Sequence, residues 1–153
     1  MSLLHAAREI SNASSPLPWL VVSGQPSAAA LAELHTAGIG VVIDIRDSME
    51  PREIDEPSVV TSLGMRYVNA PMSFGALSNA AMEQVLVALR AARGTPTLLH
   101  CNSANRTGGP LIAYLMLDEG MTEESAVDTA MRAGLRSAEV LEFATTYARE
   151  NRK

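Results

Sequence analysis

Apolar and polar residues follow two rhythms along this 153-residue chain. Short apolar runs, rich in branched residues and bounded by Gly, Pro or charge, recur at 19–22, 39–46, 65–71 and 95–101. Each reads as a strand. Between them, apolar residues recur at three- and four-residue spacing, which marks amphipathic helices. Residues 79–94 show this best: Met82, Val85, Leu86 and Leu89 share one face, Ser78 stands ahead as an N-cap, and Gly94 ends the run. A second helix is predicted over 28–38, opened by Pro26-Ser27 and closed by Gly38. A short one runs through Val60 and Leu63 to Gly64, and one comes after the loop that starts at Cys101. Two more are predicted at 122–133 and 137–150.

Strands alternating with helices predict a single α/β domain over residues 1–153, three-layered, with a mainly parallel central sheet flanked by helices. Residues 1–18 are expected to form a short helix and then a loop, SNASSPLP. Ligands of such sheets bind at the carboxyl ends of the strands. Three loops are therefore expected to meet: one after Arg46, one after Asn69, and one beginning at Cys101.

Charge narrows the functional classes. Twelve basic against seventeen acidic residues give a formal charge of −5, the wrong sign for broad contact with nucleic acid or an anionic membrane. No apolar run approaches the roughly 18 residues of a membrane-spanning helix. The N-terminus lacks the basic start and apolar centre of a signal peptide, and the only cysteine, Cys101, excludes an intramolecular disulfide. A cytoplasmic location is the expectation. His5, His35 and His100 share no ligand spacing with Cys101, and glycine patterns for dinucleotides or nucleotide triphosphates are lacking, so neither metal nor cofactor is expected.

The segment HCNSANRTGG (100–109) joins an apolar strand to an apolar helix. A cysteine at that junction faces loop N–H groups and the positive end of the helix, which favours the thiolate, the nucleophilic form. Arg106 is near enough to fold over the same concavity and hold two oxygens of a phosphate or sulfate. Thr107 is placed to hydrogen-bond the sulfur as a leaving group. The bland alternative is a buried cysteine that merely ends a strand.

The His-Cys and Arg-Thr-Gly pattern resembles the signature of the cysteine-dependent tyrosine and dual-specificity phosphatases. The segment IAYLMLDEGMTEESAV (112–127) is similar to the stretch after that loop in dual-specificity enzymes. The front half, VSGQPSAAALAELHTAGIGVVIDIRDSMEP (22–51) with GMRYVNAPM (64–72), resembles a bacterial phosphatase-like family of the DUF442 type. That family also occurs as a domain of beta-lactamase hydrolase-like proteins. The likeness spans residues 20 to 120 approximately. It implies a dual-specificity-phosphatase-like fold and hydrolysis of a phosphate monoester through a phosphocysteine on Cys101. It also implies a phosphate or sulfate cradle formed by Asn102, Ser103, Ala104, Asn105, Arg106 and Thr107. The substrate stays open among phosphoproteins and phosphorylated small molecules such as phosphoinositides, nucleotides and sugar phosphates.

The chain departs from the pattern in three places. Four residues separate Cys101 from Arg106, where the phosphatase signature has five; four is the rhodanese spacing. Ala104 stands where related loops have Gly, and a left-handed backbone there strains an alanine. The loop MSFGALS (72–78) lacks the Asp that usually protonates the leaving group. Asp47 and Glu50, at the same sheet edge, are the substitute candidates for general acid, against a plain solvated acidic loop. Arg46 is either an extra anion ligand or the partner of a neighbouring carboxylate. His100 reads as structural, hydrogen-bonded near the loop, and Arg132 and Arg136 either border the pocket or serve helix ends. Two other functions stay open: rhodanese-like sulfur transfer through a Cys101 persulfide, and a non-catalytic phosphate-binding module.

Overall fold

The computed structural model describes residues 2–152. In chain order the elements are α1 (Leu3–Ala6), β1 (Ser14–Leu17), β2 (Leu20–Ser23), α2 (Ala28–Thr36), β3 (Val41–Asp44), α3 (Glu56–Ser62), β4 (Arg66–Asn69), α4 (Asn79–Ala92), β5 (Thr97–His100), α5 (Gly108–Leu117), α6 (Glu123–Arg132) and α7 (Ala138–Asn151). The strands form one sheet in the order β1-β2-β5-β3-β4. β2, β5, β3 and β4 run parallel, and β1 lies antiparallel on the outer edge of β2.

β1 corrects the expectation of a loop over residues 11–18. Its sequence, Ser14-Ser15-Pro16-Leu17, has no apolar alternation, so only its pairing reveals it: Ser14 opposes Val22 and Leu17 opposes Leu20. Pro16 is tolerated because an edge strand can spare one N–H donor.

Side chains of the inner strands alternate between two cores, as a period of two demands. Leu20, Val22, Val41, Ile43, Ile45 and Leu99 face α4, α5, α6 and α7. Val21, Val42 and Leu98 face α1, α2 and α3. Both faces are covered, which is why these strands read as unbroken apolar runs. Burying each such aliphatic side chain contributes about 1.5–3 kcal/mol. Truncating Leu99, fully buried between β2 and β3, to Ala is expected to cost about 2–5 kcal/mol. Among the described residues, no helix is long and apolar enough to cross a membrane.

Helix ends are set by short polar side chains. Ser27, Ser78, Thr122 and Ser137 each accept from the N–H three residues on, and Asp55 does the same for α3. α5 is buried from Gly108 through Met116. Its two leading glycines permit close approach: a Cβ on Gly108 would lie 2.6 Å from the Leu135 Cβ, and one on Gly109 2.9 Å from Val140 Cγ1. The start of α5 thus sits hard against the α6–α7 corner, which fixes the loop just before it.

Candidate active site

Cys101 comes directly after β5, and its N–H donates to the carbonyl of Ser23 at 3.3 Å. Its side chain is buried. The loop from Asn102 to Thr107 is held from three sides. Gln25 N–H bonds the Asn102 carbonyl at 3.1 Å, and Asn12 Nδ2 bonds the Ser103 carbonyl at 2.9 Å. Asn105 Oδ1 accepts from the N–H groups of Arg136 and Ser137, at 2.7 and 2.9 Å. With the carbonyls and Asn105 engaged outward, the N–H groups of Asn102, Ser103, Asn105, Arg106 and Thr107 find no partner among the described residues. Unpaired amides beside a helix start form a cradle for an anion.

Ala104 takes the left-handed conformation, φ 69°. The strain expected for an alanine there is therefore present, at about 1–2 kcal/mol. Thr107 Oγ1 donates to the Ala104 carbonyl at 2.9 Å, closing the turn. This revises the expectation for Thr107: its hydroxyl proton serves the loop backbone, not the sulfur.

Arg106 is 5% exposed and folds back over the concavity. Nη1 and Nη2 donate to the two carboxylate oxygens of Glu50, at 2.7 and 2.6 Å. Nη1 also reaches the Met72 carbonyl at 3.3 Å, and the guanidinium lies 5.1 Å from the ring centre of Phe74. Burial works against this charge, but the Glu50 hydrogen bonds and the charge of Cys101 outweigh it and raise the Arg106 pKa. In return, the Arg106 hydrogen bond holds the Glu50 carboxyl below its usual range.

Asp47 occupies the same rim. Its oxygens accept from Met49 N–H at 3.0 Å and from Ser73 Oγ at 3.1 Å. These bonds, the Met49 one foremost, hold its carboxyl below the usual range as well. Asp47 N–H in turn donates to Glu50 Oε2 at 2.6 Å. Both carboxylates that the sequence offers as general acids thus stand on the pocket rim, and in this arrangement each accepts hydrogen bonds from its neighbours.

Asp47, Glu50, Ser73, Phe74, Asn102, Ser103 and Arg106 line one pocket of about 360 Å³. The three expected loops do meet there. A larger cleft, about 710 Å³, lies between β4 and α4 and is lined mainly by Val68, Ala70, Val87, Ala88 and Ala91. It holds no cysteine-loop residue, whereas Asn102, Ser103 and Arg106 of that loop line the smaller pocket, with Cys101 buried behind them.

Beneath the loop lies a buried charge network. Arg46, expected as a possible anion ligand, is 2% exposed and committed elsewhere. Its nitrogens bond both oxygens of Asp44 at 2.9 and 3.0 Å, Glu56 Oε1 at 3.0 Å and Gln25 Oε1 at 2.8 Å. Tyr67 and Arg52 also reach Asp44 Oδ2, at 2.7 and 3.4 Å. Burial pushes the Asp44 pKa up, but the Arg46 hydrogen bond and the remaining partners win and lower it to about 2. His100 Nε2 meets Glu56 Oε2 at 2.5 Å, and its Nδ1 faces the Cys101 carbonyl at 3.1 Å. His100 is thus buried directly below the loop, with both ring nitrogens engaged.

Asp44, Glu56 and His100 bring ligand-type atoms within 4.8 Å of one another, but Arg46 already supplies the balancing cation. Arg132 pairs with Asp128 at an exposed helix end, and Arg136 meets the loop only through its N–H. Phe74, Ser73, Glu56 and Gln25 carried no signal in the sequence, because each matters only through a distant partner.

No family model matches the chain. A dual specificity protein phosphatase, TpbA of Pseudomonas aeruginosa (strain UCBPP-PA14), is 27% identical over 135 residues, which is 86% of this chain. The chain spans 59% of that protein's length. Among solved structures, a DUF442 protein from Shewanella putrefaciens CN-32 superposes with a TM-score of 0.85 at 22% identity, covering 98% of this chain and 99% of that one. The core catalytic domain of the PP-IP phosphatase SIW14 from S. cerevisiae, in complex with citrate, gives 0.79 at 18% identity, covering 93% and 88%. The fold is therefore the dual-specificity-phosphatase-like α/β fold, with a mainly parallel central sheet.

Proposed function

We propose that this protein is a phosphatase that cleaves phosphoryl compounds through a phosphocysteine on Cys101. One observation carries the reading: a buried cysteine begins a loop of unpaired N–H groups, and a buried arginine five residues on folds back over it. The Cys101 thiolate attacks phosphorus in line. The loop amides and Arg106 hold the non-bridging oxygens, where negative charge must be stabilised. Water then hydrolyses the phosphocysteine and releases inorganic phosphate. Glu50 acts as a positioning residue that holds the Arg106 fork, and Asp47 and Ser73 brace the rim. None of these steps draws on a metal or an organic cofactor.

The relatives support this reading. The curated match is a dual specificity phosphatase, and a TpbA structure carrying a cysteine-to-serine change holds phosphotyrosine. The SIW14 domain structure is a complex with citrate. Phosphoproteins and phosphorylated small molecules are both candidate substrates.

Release of p-nitrophenol from p-nitrophenyl phosphate tests the proposal. Wild-type turnover that disappears in Cys101→Ser is the expected result. Turnover retained in the variant, or none in either protein, contradicts it. Conversion of Cys101 to a persulfide by thiosulfate, without phosphate release, would instead assign sulfur transfer.

A further inference from the structure

A phosphatase must manage the leaving oxygen as well as the phosphorus. An alkoxide is too basic to depart alone, so enzymes acting on alkyl esters protonate it, which is worth about 10²–10⁴-fold in rate. This pocket offers no group for that task. The loop on its β4–α4 side, MSFGALS, contains no acid. Among the described residues, the pocket's only carboxylates are Asp47 and Glu50. Both oxygens of Glu50 are taken by the Arg106 fork, and Asp47 accepts from Met49 N–H and Ser73 Oγ.

The next nearest candidates are no better placed. Glu139 Oε1 accepts from Gly75 N–H at 3.2 Å, outside the pocket lining. His100 is buried below the loop with one ring nitrogen on the Cys101 carbonyl and the other on Glu56. Asp44 is buried and held by Arg46, Arg52 and Tyr67. The hydroxyl of Ser73, the remaining proton donor on this wall, points its proton at Asp47.

Resting on the phosphatase reading, we infer that the substrate carries its phosphoryl group on an acidic leaving oxygen, as in a phosphoanhydride or an acyl phosphate, and not on an alkyl alcohol. The sulfur–phosphorus bond forms as the phosphorus–oxygen bond breaks. The leaving oxygen keeps the electron pair and departs as a phosphate or carboxylate anion, taking no proton from the protein. Water then attacks the phosphocysteine, the sulfur–phosphorus bond breaks, and both water hydrogens leave on the released dihydrogen phosphate. The thiolate is regenerated, so atoms and charge balance without a catalytic acid.

Among the described residues, the pocket wall carries one aromatic side chain, Phe74. The positive end of the site is spent on the transferred phosphoryl group. What distinguishes substrates is then the intrinsic quality of the leaving group.

The test is kcat/KM for acetyl phosphate, inorganic pyrophosphate, p-nitrophenyl phosphate, phenyl phosphate and β-glycerophosphate, in wild type and Asp47→Asn. The inference predicts that β-glycerophosphate falls at least about 10²-fold below p-nitrophenyl phosphate, the low end of what a positioned acid supplies. It also predicts turnover of acetyl phosphate or pyrophosphate; which of the two is faster identifies carboxylate or phosphate as the natural leaving group. The ranking stays the same in Asp47→Asn. β-Glycerophosphate turned over within tenfold of p-nitrophenyl phosphate overturns the inference while the phosphatase reading stands. So does an Asp47→Asn protein that loses phenyl phosphate or β-glycerophosphate selectively, because Asp47 is then the acid. Failure of the wild type on every compound removes the phosphatase reading itself, and the inference with it.

Discussion

Glu50 grips Arg106 with both carboxylate oxygens, at 2.6 and 2.7 Å, across 56 positions of sequence. The pair has a partly exposed side and a buried side: Arg106 is 5% exposed and Glu50 26%. It therefore lies between a surface ion pair, worth little, and a buried one whose rupture is costly. Two nitrogens of the fork are occupied by Glu50, so the carboxylate fixes the plane in which Arg106 meets an anion.

Glu50→Gln should accordingly split binding from turnover. An amide cannot accept from both nitrogens, so kcat is expected to fall about tenfold or more, the equivalent of one charge-assisted hydrogen bond of about 1.5–3 kcal/mol. Inorganic phosphate, freed from a neighbouring negative charge, should inhibit the variant at least as well as the wild type. Steady-state kinetics with phosphate as inhibitor checks this. Weaker phosphate inhibition together with unchanged kcat contradicts a positioning role.

Asp44 makes the stability of the fold depend on acid. Its pKa in the folded protein is about 2 against an ordinary 3.8. A depressed folded value contributes stability above pH 3.8, and that contribution is lost as pH falls from there toward 2. The size is about 2 kcal/mol, at 1.36 kcal/mol per unit. Urea unfolding from pH 7 to pH 3 should show about half of this loss, confined to the acid end. Asp44→Asn should lose about 3–5 kcal/mol at neutral pH, because Arg46 is left buried without its main partner, and should flatten the acid dependence.

Ala104 and Gly134 are coupled. Ala104 has φ 69°, and a Cβ added to Gly134, itself at φ 118°, would lie 3.1 Å from the Ala104 Cβ and 3.2 Å from its carbonyl oxygen. Ala104→Gly is expected to raise stability by about 1 kcal/mol, through relief of the left-handed strain. Gly134→Ala should cost about 2 kcal/mol or more, combining backbone strain with the tight contact. The double variant should recover the contact share only. Thermal unfolding of the four proteins gives the cycle, and strict additivity would contradict the contact.

Much of the architecture was legible because the inner strands obey simple rules. β2, β3 and β5 are buried on both faces and appear as apolar runs, and α4 and α6 carry their caps in the sequence. Cys101, Arg106 and the awkward Ala104 were legible because they are neighbours in one loop. β1 was not, since four residues without alternation become a strand only by pairing with β2. Arg46 was ambiguous for the same reason. Its partners Gln25 and Glu56 lie 21 and 10 positions away, and only the fold shows that they consume its charge. Asn105, whose N–H stays free for the cradle, also braces the loop against the start of α7 through its side chain, a contact 31 residues distant that no local pattern shows. Local pattern reveals which residues have chemistry, while long-range pairing decides which of them are free to use it.

The proposed chemistry on Cys101 has a direct test. Wild-type protein acid-quenched during turnover of p-nitrophenyl phosphate, then digested and mapped by mass spectrometry, should show a phosphoryl adduct on Cys101. The adduct should be missing from Cys101→Ser. Phosphate release by the wild type with Cys101 unmodified throughout, or a phosphoryl group trapped on another residue, would contradict the phosphocysteine account.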